Sequence, residues 1–327
     1  MLYAKTNDGS ELPVVDVTHP AFAQRHDDVQ MAKNVRRLVQ GEKARARIPK
    51  PIQRVMLGWA ARRSRLARAL FYASEGAVGG MTLYAAKLGP NMLGNAHPSR
   101  IDRWIAASPV SRLVRVRLED MARLLADGLV PALSVDPGRP LHLFNIAGGP
   151  AADSWNALLL LESEGRVDLR RRKIAIHVLD SDEEGPAFGA RAVSALQGDG
   201  APLGGLDLTF RGVAYDWRNA SELRTVLEQV GAARAAVAVS SEGGLFEYGT
   251  DDEIVANLDV LRDAAPPDGI VVGSVTRADG PAAFFDLFTV RPRTLAAFRS
   301  LTERAGWSVA RVIERPLSYD VCLSRMT

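Results

Sequence analysis

The chain is short of several things. It has one cysteine, Cys322, among 327 residues. A lone thiol closes no internal disulfide and cannot by itself supply a cysteine-based metal site. The five histidines, His19, His26, His97, His142 and His177, show no ligand spacing, so no metal is expected. No apolar run approaches the roughly 18 residues of a membrane-spanning helix. The opening stretch Met1-Leu2-Tyr3-Ala4-Lys5-Thr6-Asn7-Asp8 lacks the apolar centre of a signal peptide. A cytoplasmic protein is the expectation. Aromatic residues make up only 6%, with no stacking platform and no base-reading motif, so nucleic acid is not an expected partner. Internal repeats and low-complexity segments are absent.

What is present is enough apolar material, 47% hydrophobic residues, to bury a substantial core in a chain longer than one typical domain. The formal net charge of +3 conceals an asymmetry. Lys33, Arg36, Arg37, Lys43, Arg45, Arg47, Lys50, Arg54, Arg62, Arg63, Arg65 and Arg68 face only Glu42 in that stretch. Such a run is a solvated helix face, or a surface for a peripheral membrane or acidic carrier contact.

Along the chain, Leu2–Lys5 and Leu12–Val17 flank Asn7-Asp8-Gly9-Ser10, a hairpin signal. A helix is expected over about 26–46, ended by Pro49 and Pro51. Gln53–Tyr72 reads as one amphipathic helix whose apolar side, Val55, Met56, Trp59, Leu66, Leu70 and Phe71, is expected to pack in the core, although a basic amphipathic helix can also rest on lipid. Gly79-Gly80 and Gly89-Pro90 bracket a short helical piece, the natural bends of a covering segment. Residues 111–130 predict a further helix, with Pro131 and Pro137-Gly138 punctuating the entry to the next region. Trp59, Phe71, Met81, Tyr84 and Met92 are candidates for lining an apolar cleft.

From Leu141 the pattern changes to alternating strand and helix. Leu141–Ile146 is an apolar strand that runs into Ala147-Gly148-Gly149-Pro150, and then a helix begins. A turn of small residues lets a ligand approach the backbone, and the free N–H groups of the next helix suit an anionic group. Lys173–Leu179 is the next strand, with Asp180 at its carboxyl end, where a carboxylate can accept both hydroxyls of a ribose. Strands are further expected at 206–210, 235–240, 270–275, 307–313 and 318–324, the last antiparallel because only a short connection precedes it.

The turn, the aspartate and the element order resemble the class I S-adenosylmethionine (SAM)-dependent methyltransferases over about 139–327. Their first motif, acidic-x-Gly-x-Gly-x-Gly, falls on Asn145, Ala147, Gly149 and Ala151, with Gly148 between. Two glycines are alanine here, and Asn145 brings no charge. The Pro267-Asp268-Gly269 turn before the fifth strand and the closing helix, Gly306-Trp307 and hairpin fit the same pattern. The resemblance implies an α/β fold: a seven-stranded Rossmann-like sheet in residues 139–327, and a mainly helical cap and substrate region in residues 1–138 that covers the sheet's carboxyl edge. It implies SAM as cofactor, held by Asn145, Ala147, Gly148, Gly149, Asp180, Ser181, Asp216, Trp217 and Ser240, and methyl transfer to a small, apolar acceptor. Glu242 and Tyr248, after the fourth strand, and Tyr84 and His97, in the cap, are candidate general bases. Two alternatives stand beside this reading: a non-catalytic binding or scaffold protein on the same fold, and an NAD(P)-dependent oxidoreductase, for which Ala147, Gly149 and Ala152 match the Gly-x-Gly-x-x-Gly fingerprint poorly.

Overall fold

The computed structural model describes residues 1–22, 28–73, 78–280 and 290–326. The chain begins with a hairpin, β1 (Tyr3–Lys5) and β2 (Glu11–Pro13), paired antiparallel as the Asp8-Gly9 turn demands. Helices α1 (Asp28–Ala46), α2 (Lys50–Ala61), α3 (Arg65–Ala73), α4 (Gly80–Leu88), α5 (Arg100–Ala106) and α6 (Pro109–Val135) come next. Then the alternation starts: β3 (Leu141–Ile146), α7 (Ala152–Ser163), β4 (Lys173–Asp180), α8 (Glu184–Leu196), β5 (Asp207–Ala214), α9 (Ala220–Gln229) and β6 (Ala236–Ser241). The rest is α10 (Leu245–Tyr248), α11 (Asp251–Ala264), β7 (Ile270–Thr276), α12 (Leu295–Arg304), β8 (Trp307–Glu314) and β9 (Ser318–Arg325).

The seven strands from β3 onward form one sheet in the order β5-β4-β3-β6-β7-β9-β8. The first five are parallel, and β9 is antiparallel to both β7 and β8. The order reverses between β3 and β6, where open α/β sheets bind ligands beyond the carboxyl ends of their strands. This is the fold and the antiparallel last strand that the sequence predicts.

Alternate residues of each central strand point to opposite faces, and the core divides accordingly. Leu141, Leu143, Ile174, Ile176, Ala238 and Val272 pack under α6, α7 and α8. Phe144, Ile146, Val237, Val239, Val271 and Val321 pack under α9, α11 and α12. Burial on both faces explains why these strands read as continuous apolar runs.

Two expectations are corrected. The helix expected over Gln53–Tyr72 is two helices, because Ser64 starts α3: its hydroxyl accepts from Ala67 N at 2.9 Å and donates to buried Asp102 at 2.5 Å, while Leu66 N donates to the same Asp102 oxygen at 2.9 Å. Pro131 does not stop α6, which runs on to Val135. Pro131 is exposed and costs the helix one backbone hydrogen bond; the helix ends at Asp136, held extended before Pro137. Helix α6 lies on the sheet, and its Leu118, Met121, Leu124 and Leu125 belong to the same buried cluster as Leu143, Leu158 and Ile176.

Candidate active site at the carboxyl edge of the sheet

The turn after β3 is held in three left-handed conformations: Ala147 at φ 54°, Gly149 at φ 61° and Ala151 at φ 60°. Left-handed backbone disfavours any Cβ, so the two alanines keep the shape of a glycine turn against their own preference. Neighbours fix it. Ala147 N donates to Leu179 O at 2.8 Å and Gly148 N to Asn145 Oδ1 at 2.9 Å. Gly149 N donates to Asp180 Oδ2 at 3.1 Å, and Asp182 N to Asp180 Oδ1 at 3.0 Å. Asp180 is thereby locked in orientation at the end of β4. Burial, opposed by these backbone bonds, leaves its pKa raised.

Asn145, fully buried, reaches sideways. Its Nδ2 donates to Asp153 Oδ1 at 2.8 Å and to Ser240 Oγ at 3.0 Å. Asp153 sits in the first turn of α7, and its second oxygen has no hydrogen-bond partner among the described residues. Desolvation, reinforced by Glu242, pushes its carboxyl up to about 6. The sequence signals charge only at position 145, and there it shows an amide; the carboxylate is eight residues further on and returns to the same place in space.

The edge has an open part and a closed part. Ala147, Gly148, Asp180, Asp216 and Trp217 are partly exposed and Ser181 is exposed, forming a strip across the ends of β3, β4 and β5. Asp216 pairs with Arg218 at 2.5 Å. Gly149 is closed over. A Cβ at Gly80, the start of α4, would lie 2.4 Å from Gly149 Cα, and one at Gly185, in α8, 2.7 Å from it. Two backbones thus meet the turn directly, which requires glycine at all three positions. This places the start of α4 against the turn at the carboxyl edge.

Beneath α4 and α6 lies a buried alternation of charge. Lys87 Nζ is 2.7 Å from Glu242, Arg117 lies 3.4 Å from Glu242 and 2.7 Å from Glu247, and Thr276 donates to Glu247 at 2.8 Å. Asp320 is buried beside them with neither oxygen in a hydrogen bond among the described residues. Burial, with Asp120 adding to it and Arg117 opposing, raises it to about 8. Nothing in the sequence links Lys87 to Glu242 or Arg117 to Glu247; they meet only through the packing of α4 and α6 on the sheet.

The four candidate bases are placed as follows. Glu242 is ion-paired with Lys87 and Arg117 within a buried cluster. The Tyr84 hydroxyl accepts from Val15 N at 3.0 Å and donates to Pro13 O at 2.7 Å, deep among Trp155 and Phe188; burial raises it further. It ties the hairpin to the core and is not a base. Burial pushes Tyr248 up to about 12, with its hydroxyl at the Val78 backbone. His97 lines a small cavity of ≈ 160 Å³ with Asp8, Arg65, Met81, Thr82 and Glu184, a lining that does not include Asp180 or Asp216. Desolvation lowers its pKa. The structure therefore does not bring the four together. Nor does it form the apolar cleft: Trp59 is 55% exposed while Tyr84 is fully buried. His142 and His177, read as sheet residues, stack on each other, and burial pushes His177 down to about 4.

No protein-family model matches the chain, and no curated protein matches it. Among solved structures, it is similar to a possible exported protein from Bordetella parapertussis, at 16% identity and a TM-score of 0.55, over 94% of this chain and 99% of that one. That likeness shows a shared fold across nearly the whole length. Looser overlaps include the magnesium protoporphyrin IX methyltransferase of Synechocystis, with bound S-adenosylhomocysteine, at 16% identity and a TM-score of 0.41 over 66% of this chain and 87% of that one. Mitomycin 7-O-methyltransferase overlaps at 15% identity and a TM-score of 0.41, over 85% and 74%. The sheet order and antiparallel last strand define the class I methyltransferase fold. No described helix is long and apolar enough to cross a membrane.

Proposed function

We propose that this chain is a SAM-dependent methyltransferase acting on a small-molecule acceptor, with the adenosyl part of SAM in the strip at the ends of β3, β4 and β5. The observation that carries the reading is Asp180, partly exposed and oriented by Gly149 N and Asp182 N beside a left-handed turn. A carboxylate so fixed accepts ribose hydroxyls without first being ordered. Ala147 and Gly148 would border the ligand, with Ser181, Asp216 and Trp217 along the strip. Asn145, braced by Ser240, and the unpartnered oxygen of Asp153 would supply the negative field that the family places at position 145. SAM brings a methyl group already activated on a sulfonium. The chain's task is then to hold an acceptor in line and to exclude water, which α4 and the buried Lys87–Glu242–Arg117 cluster suit. Glu242 is ion-paired and Tyr84 and Tyr248 are buried with raised pKa values, which favours an acceptor atom that needs no proton removed by them; His97, with its Nδ1 in no hydrogen bond among the described residues, is the candidate left as a base. Residues 1–138 would define the acceptor. A cytoplasmic setting is consistent with the buried, single Cys322.

A second reading, a non-catalytic protein on this fold, is favoured by one observation, the seating of Gly80 on Gly149. Calorimetric titration of SAM into wild type, Asp180→Ala and Asp182→Ala separates the two. A charged acceptor contributes roughly 1.5–3 kcal/mol per hydrogen bond, so Asp180→Ala should weaken SAM binding at least about tenfold, and Asp182→Ala much less. Equal binding by Asp180→Ala would remove the ribose assignment. No binding by wild type would favour the non-catalytic reading, and stabilisation by NAD instead would favour the oxidoreductase.

A further inference from the structure

Helix α2 carries an apolar stripe that none of the described residues covers. Ile52 is 50%, Val55 72%, Met56 56% and Trp59 55% exposed. At spacings of three and four residues these side chains share one face of the helix. The opposite side, with Leu57 and buried Ala61, meets the protein. This corrects the expectation that Val55, Met56 and Trp59 are core. Beside the stripe, Lys43, Arg47, Lys50, Arg62, Arg63 and Arg68 are exposed, the end of α1 being tied to α2 by Arg45 and Gln53 at 2.9 Å; Lys33, Arg36 and Arg37, further up α1, are exposed as well. The lone acid of the stretch, Glu42, is neutralised by Arg45 at 2.7 Å. The Arg63 guanidinium stands 4.3 Å over the Trp59 ring, so an aromatic anchor and a cation are presented together.

We propose that α2, with the basic residues of α1 and α3 around it, docks on an anionic lipid surface. A short amphipathic helix with an aromatic anchor on one face and lysine or arginine beside it lies in the interface of a bilayer. The apolar side chains enter the acyl boundary and the cations meet anionic headgroups. The charge argues against the other occupants. A two-fold contact with a second copy would set this basic rim against itself. An acidic protein would satisfy the cations, but it gives no reason for four large apolar side chains to stand in a row in water. A bilayer accommodates both features at once. The proposal does not depend on SAM binding, since α2 takes no part in the strip at the sheet edge.

The test is co-sedimentation of the full chain with vesicles of phosphatidylcholine alone and of phosphatidylcholine with about one-third phosphatidylglycerol. The expected result is at least about tenfold stronger partition onto the anionic vesicles, falling as salt is raised to about 0.5 M. The double variants Met56→Ser/Trp59→Ser and Arg62→Glu/Arg63→Glu should each reduce it about tenfold or more. All four residues are exposed, so their melting temperatures should stay near wild type. Equal partition onto neutral vesicles, no partition at all, or wild-type partition by either variant overturns the proposal. So does a wild-type dimer in sedimentation velocity that Met56→Ser/Trp59→Ser makes monomeric, which would give the face to a second copy. Retention on polyglutamate without vesicle binding would give it to an acidic protein.

Discussion

Helices α2 and α6 have the same kind of apolar periodicity and opposite fates. In α6, Leu118, Met121, Leu124 and Leu125 are at most 1% exposed, pressed onto the sheet and α7. In α2, Ile52, Val55, Met56 and Trp59 are each at least 50% exposed. Their charges divide the same way. Arg117 and Asp120 of α6 are buried and paired, Arg117 with Glu242 and Glu247, Asp120 with Arg315 at 2.6 Å. Arg62 and Arg63, just beyond α2, stand in water. Periodicity thus tells which residues share a face. What covers that face is a property of the partner, and α6 has a sheet while α2 has none among the described residues.

The sharpest way to break the contrast is to truncate the same residue type on each helix. Met121→Ala on α6 removes a fully buried side chain, and such cavities typically cost about 2–5 kcal/mol. Met56→Ala on α2 should stay within about 0.5 kcal/mol. Urea denaturation of the two variants measures both. Similar losses would mean that the α2 stripe is covered in solution.

Charge gives a second test, at Asp320, buried on β9 beside Arg117 and Asp120. Its folded pKa, about 8, lies above the ordinary value of 3.8. The unfolded chain therefore releases this proton first as pH rises, and between about 4 and about 8 the folded state binds the more protons, so stability falls with rising pH in that window. Above it the penalty is constant. Asp320→Asn removes the titration and should gain up to about 5 kcal/mol at pH 8 over its difference at pH 4, about 1.4 kcal/mol for each unit of the shift. Melting curves at both pH values check this; parallel profiles for wild type and variant would show that Asp320 does not carry the dependence.

The same contrast sets how far the sequence can be read. The sheet was legible because its strands are buried on both faces by their own neighbouring helices, so local apolar runs such as Lys173–Leu179 and Ala236–Val239 already state their surroundings. Asp180 was legible because its place, the end of a strand beside a small-residue turn, is fixed by local order. The break at Ser64 was not, since its reason, Asp102, lies 38 residues away. The pairing of Lys87 with Glu242, separated by 155 residues, was invisible for the same reason. Tyr84 read as a reactive hydroxyl, but its partners are backbone groups at Pro13 and Val15, which no motif announces. Pro131 misled because a proline on the exposed side of a long, well-packed helix costs it one backbone hydrogen bond and little else.

Backbone strain extends the comparison from side chains to the chain itself, and the effect is the smallest. Gly9 and Ala147 both adopt positive φ, 82° and 54°. Gly9 sits in an open turn with nothing within 4 Å of where a Cβ would be. Ala147 sits in a turn clamped by Leu179 O below and by the packing of Gly244, whose own Cβ would come 2.9 Å from that of Ala147. At the open turn, glycine removes a strain that nothing else would hold. At the clamped turn, the surroundings over-determine the conformation and alanine is tolerated there. A left-handed L-residue costs roughly 1–2 kcal/mol, and glycine gives back about 0.5–1 kcal/mol through its greater freedom when unfolded. Ala147→Gly should therefore stabilise by up to about 1 kcal/mol, the difference of those two terms. Gly9→Ala should destabilise by a similar or larger amount, because its φ is equally left-handed and no tertiary contact compensates. Melting temperatures of the two variants, measured against wild type in one buffer, decide the matter. A destabilised Ala147→Gly would show that the Ala147 methyl contributes more in packing than its backbone loses in strain. The alanine would then be a fitted part of the turn and not merely a tolerated one.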